Sequence, residues 1–189
     1  MPGVAARVLN EYPLTTVAGG VQAALGDAYG GERRRFVAAF DLPAYASATP
    51  VDVGTLVVRW AGTVGDVTLH ETTIPLRVDV TARVDVPAPD GEVTEHVNVL
   101  GAAAARKEAH ERIRSGDAPA AKRAMHVALD RLVAAAAPAA AIAEARADID
   151  RLDADAWTAS DSKRLYADAR TAGTGRRARY DGSTDDDAS

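Results

Sequence analysis

The hydrophobic periodicity of this chain changes once, near residue 90, and that change limits the folds open to it. Before this point apolar and polar residues alternate, as in Arg33–Leu42, which is the pattern of a half-buried β-strand. After it, apolar residues recur at helical spacing. The clearest helical stripe is Ala121, Met125, Ala128 and Leu132. Prolines within Val86–Gly91 stop the last strand, so the sequence predicts an α+β protein with strands first and helices second.

Residues 1–86 are rich in Val and Thr and are divided by Gly and Pro into short segments, which predicts an antiparallel β-sandwich. The glycine pair at 19–20 predicts a hairpin between the apolar segments on either side of it. Arg33–Leu42 is predicted to be a core strand. Its inward face carries both phenylalanines of the chain, Phe36 and Phe40.

Two longer strands are expected to follow. Val51–Ala61 is predicted as a strand whose inward side chains are Leu56, Val58 and Trp60. In Val67–Val80 the apolar residues change parity near Glu71–Thr73, which predicts a β-bulge or a crossing between sheets at that point. Pro75 cannot donate to a ladder, so it is expected to mark a sheet edge or that same irregularity.

Residues 92–171 are predicted to form an Ala-rich antiparallel helical hairpin or three-helix subdomain. Between its first two helices, Gly116 suits a left-handed C-terminal cap and Asp117 suits an N-cap. A third helix and a last short helix at Ser160–Arg170 are expected to follow. The stripes predicted to face the core are Val93, Val97, Leu100 and Ala104 in the first helix and Ile142, Ala145, Ile149 and Leu152 in the third. Residues 172–189 have almost no apolar content and are predicted to be a disordered tail.

Charge and cysteine content argue against several classes of protein. The net charge of −5 and the pI of about 5.4 argue against a general nucleic-acid binder and against a polybasic membrane anchor. The chain has no cysteine, which excludes disulfides, thiolate metal sites and a cysteine nucleophile. No apolar run is long enough to span a bilayer, and the N-terminal segment lacks a signal-peptide pattern. We therefore expect a cytoplasmic protein without nucleic-acid or membrane partners.

Residues capable of chemistry do not assemble into a recognisable motif. The four histidines, which are scattered along the chain, are His70, His96, His110 and His126. The pair His110-Glu111 is not followed by the second histidine of a zinc helix, and the glycine pairs lack phosphate-loop spacing. No Gly-x-Ser-x-Gly elbow occurs. The sequence thus predicts no catalytic, cofactor-binding or metal-binding residue and no cofactor. An enzyme with an unrecognised site is the least favoured alternative.

Three other groups of residues could serve recognition. Arg33–Arg35 could pair with an anion, but neighbouring residues on a strand point to opposite faces, which favours a structural or edge-guarding role. Trp157, Arg164 and Tyr166 could form an exposed surface, although packing of the last helix is the favoured interpretation. The segment 181–187 is rich in aspartate but lacks the turn glycine and the distal glutamate of a calcium loop at the required spacing. This favours a solvated acidic tail.

The stretch Leu25–Pro43, LGDAYGGERRRFVAAFDLP, resembles the turn and strand that follow the von Willebrand factor A (VWA) domain in many bacterial VWA-domain proteins. Three further features are similar and occur in the same order. They are a strand like Ile74–Val80, an Ala-rich hairpin like Ala102–Ala136 around Gly116-Asp117, and a segment like Ser162–Tyr166 before an Arg-rich tail. The resemblance implies the C-terminal accessory region of such proteins, a β-sandwich with a helical hairpin. The Asp-x-Ser-x-Ser metal site of the VWA domain itself is missing, so no Mg²⁺ ligand carries over.

Together these patterns favour a non-enzymatic protein-interaction or scaffold module associated with VWA-type proteins. The resemblance implies that its partner is a separate VWA-domain protein or a VWA-linked ATPase. The alternative is a truncated remnant of a VWA protein with only a structural role. In a remnant, missing N-terminal strands would leave an open sheet edge through which homodimers could form.

Overall fold

The computed structural model describes residues 4–29, 32–45, 49–62, 65–81, 88–153 and 156–174. Within these ranges six strands precede four helices, so the predicted α+β order is confirmed. The strands are β1 (Ala5–Val8), β2 (Leu14–Val17), β3 (Gly20–Ala23), β4 (Ala38–Asp41), β5 (Pro50–Gly62) and β6 (Thr68–Asp79). The helices are α1 (Gly91–Arg114), α2 (Ala118–Ala134), α3 (Ala139–Asp153) and α4 (Ala159–Gly173).

The chain divides into two compact units. One comprises Met1–Arg7 and Ala39–Ala88, and the other comprises Val8–Ala38 and Pro89–Ser189. From the sequence, strands give way to helices between residues 86 and 92. By its contacts, however, the early segment Val8–Ala38 groups with the helices.

The strands form small antiparallel sheets of two strands each. The pairs are β1 with β4, β2 with β3, and β5 with β6. The hairpin predicted at residues 19–20 is confirmed, with Leu14 opposite Ala23 and Val17 opposite Gly20. Gly19 has a φ of +80°, which L side chains rarely adopt and which glycine tolerates.

The predicted core strand at Arg33–Leu42 is wrong over its first part. Only Ala38–Asp41 forms a strand, and Phe36 is 38% exposed rather than in the core. The side chain of Asn10 explains the difference, because it takes the backbone hydrogen bonds ahead of the strand. Its Nδ2 donates to the Arg35 carbonyl at 3.0 Å, and its Oδ1 accepts from the Val37 amide at 2.7 Å.

The β-bulge predicted in β6 lies instead in β5. The register of the two strands shifts once, between Asp52 and Gly54, and is unbroken at Glu71–Thr73, so the predicted position is wrong. The extra residue, Val53, is buried. The change of parity in the β6 sequence has another cause, since Leu69 is 83% exposed and does not face a core.

The hydrophobic core of the second unit lies among the helices. Its residues form two clusters: Ala109, Ala124, Met125, Ile149, Leu152 and Leu165, and then Ala102, Ala105, Ala128, Leu132 and Ala145. The predicted α2 stripe is buried in full, and the α3 stripe is buried or half-buried. The α1 stripe is wrong in part, because Val93 and Ala104 are exposed. Alanines form much of the buried α1 surface instead, since short side chains let α2 and α4 approach closely.

The turn between α1 and α2 is built as predicted. Gly116 has a φ of +78°, and its amide donates to the Ile113 carbonyl at 3.1 Å. The Asp117 amide donates to the Arg112 carbonyl at 2.9 Å, which completes a Schellman C-cap. The Asp117 carboxylate then accepts from the Ala120 amide at 3.0 Å and caps α2.

Helix α4 is longer than the predicted Ser160–Arg170. A capping box between Thr158 and Asp161 starts it one residue earlier. At its other end, the amide of Glu11 donates to the carbonyl of Gly173 at 2.8 Å. This contact, between residues far apart in sequence, helps hold the last turn in place.

Two predictions concern the margins of the fold. The predicted tail at 172–189 begins inside α4, and its residues from 175 onward lie outside the described ranges. Among the described helices, none combines the length and the apolar composition needed to cross a membrane.

Candidate interaction surface on the β5–β6 ribbon

Strands β5 and β6 form a long antiparallel ribbon, 13 and 12 residues in length. In the described part of the chain, no third strand is hydrogen-bonded to either of them. An isolated two-stranded ribbon is only marginally stable in water, so one of this length gains from a packed face. The register between the strands determines which side chains share each face.

The ribbon has two chemically different faces. The apolar face carries Leu56, Val58 and Trp60 from β5 and His70, Thr72 and Ile74 from β6. None of these six residues is an Asp, Glu, Lys or Arg. The opposite face, which we call the charged face, carries two cross-strand ion pairs of 2.6 Å, Arg59 with Glu71 and Arg77 with Asp52.

The apolar face is covered at one end and exposed at the other. Near its covered end Val51 is 8% exposed, and a Cβ built on Gly54 would lie 3.9 Å from Phe40 Cε1. Toward the other end Ile74 is 45% exposed and Trp60 is 49% exposed. The prediction that Trp60 points into a core is therefore wrong, although it shares a face with Leu56 and Val58 as predicted.

The exposed indole of Trp60 is held in place by its cross-strand neighbour. Trp60 and His70 are directly opposite in the register, with ring centroids 5.1 Å apart and an interplanar angle of 18°. Stacked aromatic pairs of this kind attract one another beyond the effect of area burial. The ribbon thus presents a stacked aromatic side chain beside aliphatic ones.

A second feature, which sequence reasoning missed, is a group of charges between α3 and α4. Asp148 is 1% exposed and accepts a hydrogen bond from Arg164 Nη2 at 2.5 Å. Arg151 Nη2 lies 3.2 Å from the same carboxylate, and Arg164 also pairs with Glu144. The position of Asp148 on the α3 stripe, three residues after Ala145, is the signal that could have revealed it.

The surroundings of this charge group shift the pKa of two further aspartates in opposite directions. Burial, reinforced by the charge of Glu144, raises the pKa of Asp168, while Arg106 opposes the rise. Hydrogen bonds from the hydroxyl and the amide of Thr158 lower the pKa of Asp161. These charges serve the packing of α4 on its neighbours.

Some buried polar atoms in these helices have no hydrogen-bond partner among the described residues. They are Arg106 Nε and Nη2, Asp148 Oδ2, His96 Nε2 and His110 Nδ1. Across those same residues, no group of three or more His, Asp or Glu side chains is placed to hold a metal ion. The ion pairs of Arg164 with Glu144 and Asp148 in this charge group join α3 to α4.

The four histidines lie in different surroundings and do not form one site. His70 stacks on Trp60 in the ribbon, and His126 is exposed on α2. On α1, His96 Nε2 lies 3.6 Å from Glu92, and the His110 ring lies 5.2 Å from the Tyr166 ring.

The arginine run at 33–35 is divided among separate contacts. Arg33 is exposed, and Arg35 lies 3.3 Å from Glu92. Arg34 pairs with Glu32 at 3.0 Å. It also donates to the backbone carbonyls of Leu25, Gly26 and Asp27. Arg34 thus fixes the turn ahead of it, which is the structural role that strand alternation favours.

The aromatic and charged residues of the α4 region are mainly packed. Trp157 is half-buried against the helical core, and its Nε1 donates to Ser162 Oγ at 2.8 Å. Arg164 is tied to α3, and Tyr166 remains 43% exposed. These contacts agree with the packing interpretation. The acidic residues at 181–187 lie outside the described ranges.

A shallow groove of about 280 Å³ runs between α1 and α2. Its lining residues are Glu108, Arg112, Asp117, Ala120, Arg123, Ala124 and Val127. Arg112 is paired with Glu108 at 3.4 Å, and Asp117 caps α2, so three of the four charged residues that line the groove are already engaged.

Comparisons of the chain with protein-family models, with curated proteins and with solved structures find no match. On the apolar face of the ribbon, the large aromatic side chain of Trp60 is 49% exposed.

Proposed function

We propose that this chain is a non-enzymatic protein-interaction module whose binding surface is the apolar face of the β5–β6 ribbon. The observation that carries the proposal is the half-exposure of Trp60 and Ile74 on a face without charged side chains. Contiguous exposed apolar surface marks interaction sites in folded proteins. Tryptophan is also among the residues that contribute most when buried at an interface.

Docking on this face would complete the antiparallel β-sandwich expected from the sequence. A sandwich consists of two sheets packed face to face, roughly 10 Å apart, and each sheet contributes one apolar face. The ribbon supplies one such face, with Leu56 and Val58 half-buried beside Trp60. In this proposal the partner supplies the opposing layer.

The partner we propose is a separate VWA-domain protein in the cytoplasm. The support is the resemblance of Leu25–Pro43 to the segment that follows VWA domains. A partner for this face needs an uncharged apolar surface, since the apolar face offers no Asp, Glu, Lys or Arg with which to pair. A VWA-linked ATPase is the other partner that the resemblance implies.

The test is a calorimetric titration of this chain with a purified VWA-domain protein from the same genome. Trp60→Ala is expected to weaken binding roughly 30-fold, the size of a hot-spot loss of about 2 kcal/mol. Val57→Ala is the matched control. Val57 lies on the same strand and is 39% exposed, but it belongs to the charged face, so binding should change less than about twofold.

Equal losses in the two variants, or no binding of any VWA-domain protein, would contradict the proposal as stated. If the VWA-linked ATPase binds with the same dependence on Trp60, the proposed binding surface is supported and the ATPase is the partner. Aggregation of the purified chain without partner binding would favour the structural remnant.

A further inference from the structure

We propose that β5 pairs edge to edge with β5 of a second copy of this chain, forming a four-stranded antiparallel sheet about a two-fold axis. This proposal goes beyond docking on the apolar face, because it uses the backbone edge of the ribbon. It does not depend on the identity of any other partner.

The two edges of the ribbon differ in their capacity to pair. β6 contains Pro75, which lies opposite Thr55 in the register. Proline is tolerated in an edge strand when its nitrogen, which carries no hydrogen, points away from the neighbouring strand. The outer edge of β6 therefore lacks a donor near its middle, and a strand added there would lose a ladder hydrogen bond.

The outer edge of β5 has no such interruption. Residues 55–61, TLVVRWA, contain neither Pro nor Gly and are rich in strand-forming residues. Pro75 has no N–H, so Thr55 and Pro75 form a non-hydrogen-bonded pair of the antiparallel ladder. Because hydrogen-bonded and non-hydrogen-bonded pairs alternate, the amides that point away from β6 are those of Thr55, Val57, Arg59 and Ala61. No described strand is paired with this edge. It is therefore a row of donors and acceptors open to another strand.

The sequence of this edge suits a second copy of itself. With the two-fold axis at Val58, Leu56 lies opposite Trp60 of the second copy, on the apolar face of both. Arg59 is the one formally charged side chain in residues 55–61, and it would lie opposite Val57 of the second copy. This register therefore brings no like charges directly opposite, and each Arg59 keeps its ion pair with Glu71 of its own ribbon.

Pairing in this register would also join two apolar faces into one. Trp60, Val58 and Leu56 of both copies would form a continuous strip on one side of the four-stranded sheet. The contact area of strand pairing is small, and interfaces under about 1,200 Å² belong to the weak class. We therefore expect an equilibrium between monomer and dimer that shifts with protein concentration.

The absence of native cysteine allows a direct test by single-cysteine cross-linking. Val58→Cys places two thiols across the axis in a non-hydrogen-bonded pair, where Cα atoms are about 4.5 Å apart and a disulfide can form. Leu56→Cys is the matched control on the same face. Its Cα atoms would be about 14 Å apart, because four residues of strand separate them. Under mild oxidation, Val58→Cys should form covalent dimers at least about tenfold faster.

A proline pair tests the edge itself. Val57→Pro removes an outward amide from β5, and Thr73→Pro removes the outward amide directly across the ribbon on β6. Sedimentation velocity should show loss of the dimer in Val57→Pro and an unchanged dimer in Thr73→Pro. Circular dichroism checks that both variants are folded.

Cross-linking of Val58→Cys no faster than that of Leu56→Cys would overturn the proposal, and so would equal behaviour of two folded proline variants. The cysteine test remains decisive if Val57→Pro does not fold. Neither experiment contains a VWA-domain protein, so their failure would leave the proposed docking function in place.

Discussion

Asp148 Oδ1 accepts a hydrogen bond from Arg164 Nη2 at 2.5 Å, and this bond joins α3 to α4 at a carboxylate that is 1% exposed. A buried carboxylate is costly unless it is paired. The same guanidinium pairs with Glu144, so one side chain of α4 holds two acidic groups of α3. Arg164 is therefore a principal polar link between these helices.

We expect Arg164→Ala to lower the free energy of unfolding by about 2–4 kcal/mol, because it leaves the Asp148 carboxylate buried with less compensation. Urea denaturation followed by circular dichroism measures this loss. Lys163→Ala, at the exposed neighbouring position, should change stability by less than about 0.5 kcal/mol. Similar losses in the two variants would show that the bond contributes little.

The raised pKa of Asp168 predicts a dependence of stability on pH. Burial, and then the charge of Glu144, raise this pKa above its ordinary value of 3.8, so the folded state holds the proton more tightly than the unfolded state. The associated stability is present below pH 3.8 and is lost as pH rises through the folded-state pKa. Asp168→Asn should thus be more stable than the parent at pH 7, and urea midpoints should converge near pH 3.

Asp161 provides the opposite case within the same helix. Hydrogen bonds from Thr158 lower its pKa below the ordinary value of 3.8. The stability that ionised Asp161 adds to the folded state is present above pH 3.8 and is lost as pH falls through the folded-state pKa. Asp161→Asn should therefore be less stable than the parent at pH 7, with a difference that shrinks in acid. Shifts in the same direction for both asparagine variants would contradict these assignments.

Ala136, just after α2, occupies a backbone conformation that glycine adopts more readily. Its φ is +49°, its amide donates to the Val133 carbonyl at 3.0 Å, and its side chain is exposed. Ala136→Gly should raise the free energy of unfolding by about 0.5–1 kcal/mol, since the left-handed position of a C-cap favours glycine. Thermal denaturation measures the gain. Ala143→Gly, at an exposed position inside α3, should instead lose about 0.5–1 kcal/mol.

Asn10 is 4% exposed and bonds to the backbone on both sides of Phe36. Asn10→Ala should lower the free energy of unfolding by about 2 kcal/mol, because two part-buried backbone groups lose their partner. Trypsin cleavage within residues 33–35 should also become faster as this segment loosens. Gln22→Ala, at an exposed position of β3, is the control and should leave the cleavage rate unchanged.

The features that the sequence predicts well depend on neighbouring residues. The α2 stripe is buried because its members, Ala121 to Leu132, recur every three or four positions. The caps at Gly116 and Asp117 form because each residue suits a local backbone shape. The hairpin at residues 19–20 forms for the same reason.

The features that the sequence does not reveal depend on distant partners. Strand β4 starts only at Ala38 because Asn10, 27 positions before Val37, accepts from the amide that a longer strand would have used. Trp60 lies on the same face of the strand as Leu56 and Val58, as alternation predicts. Alternation cannot show whether a second layer covers that face. Asp148 and Arg164 are ordinary helical charges in the sequence, and only the packing of α4 on α3 makes them a buried pair.

The end of α4 is held by the chain near residue 12. The hydroxyl of Tyr12 donates to the carbonyl of Thr174, 162 positions away, and the Glu11 amide bonds to Gly173 beside it. Closing so large a loop carries an entropy cost, and contacts of such separation form slowly during folding. The final turn of α4 is thus expected to gain protection from hydrogen exchange later than the rest of its helix. The order in which this unit folds would then depend on a segment from near the start of the chain.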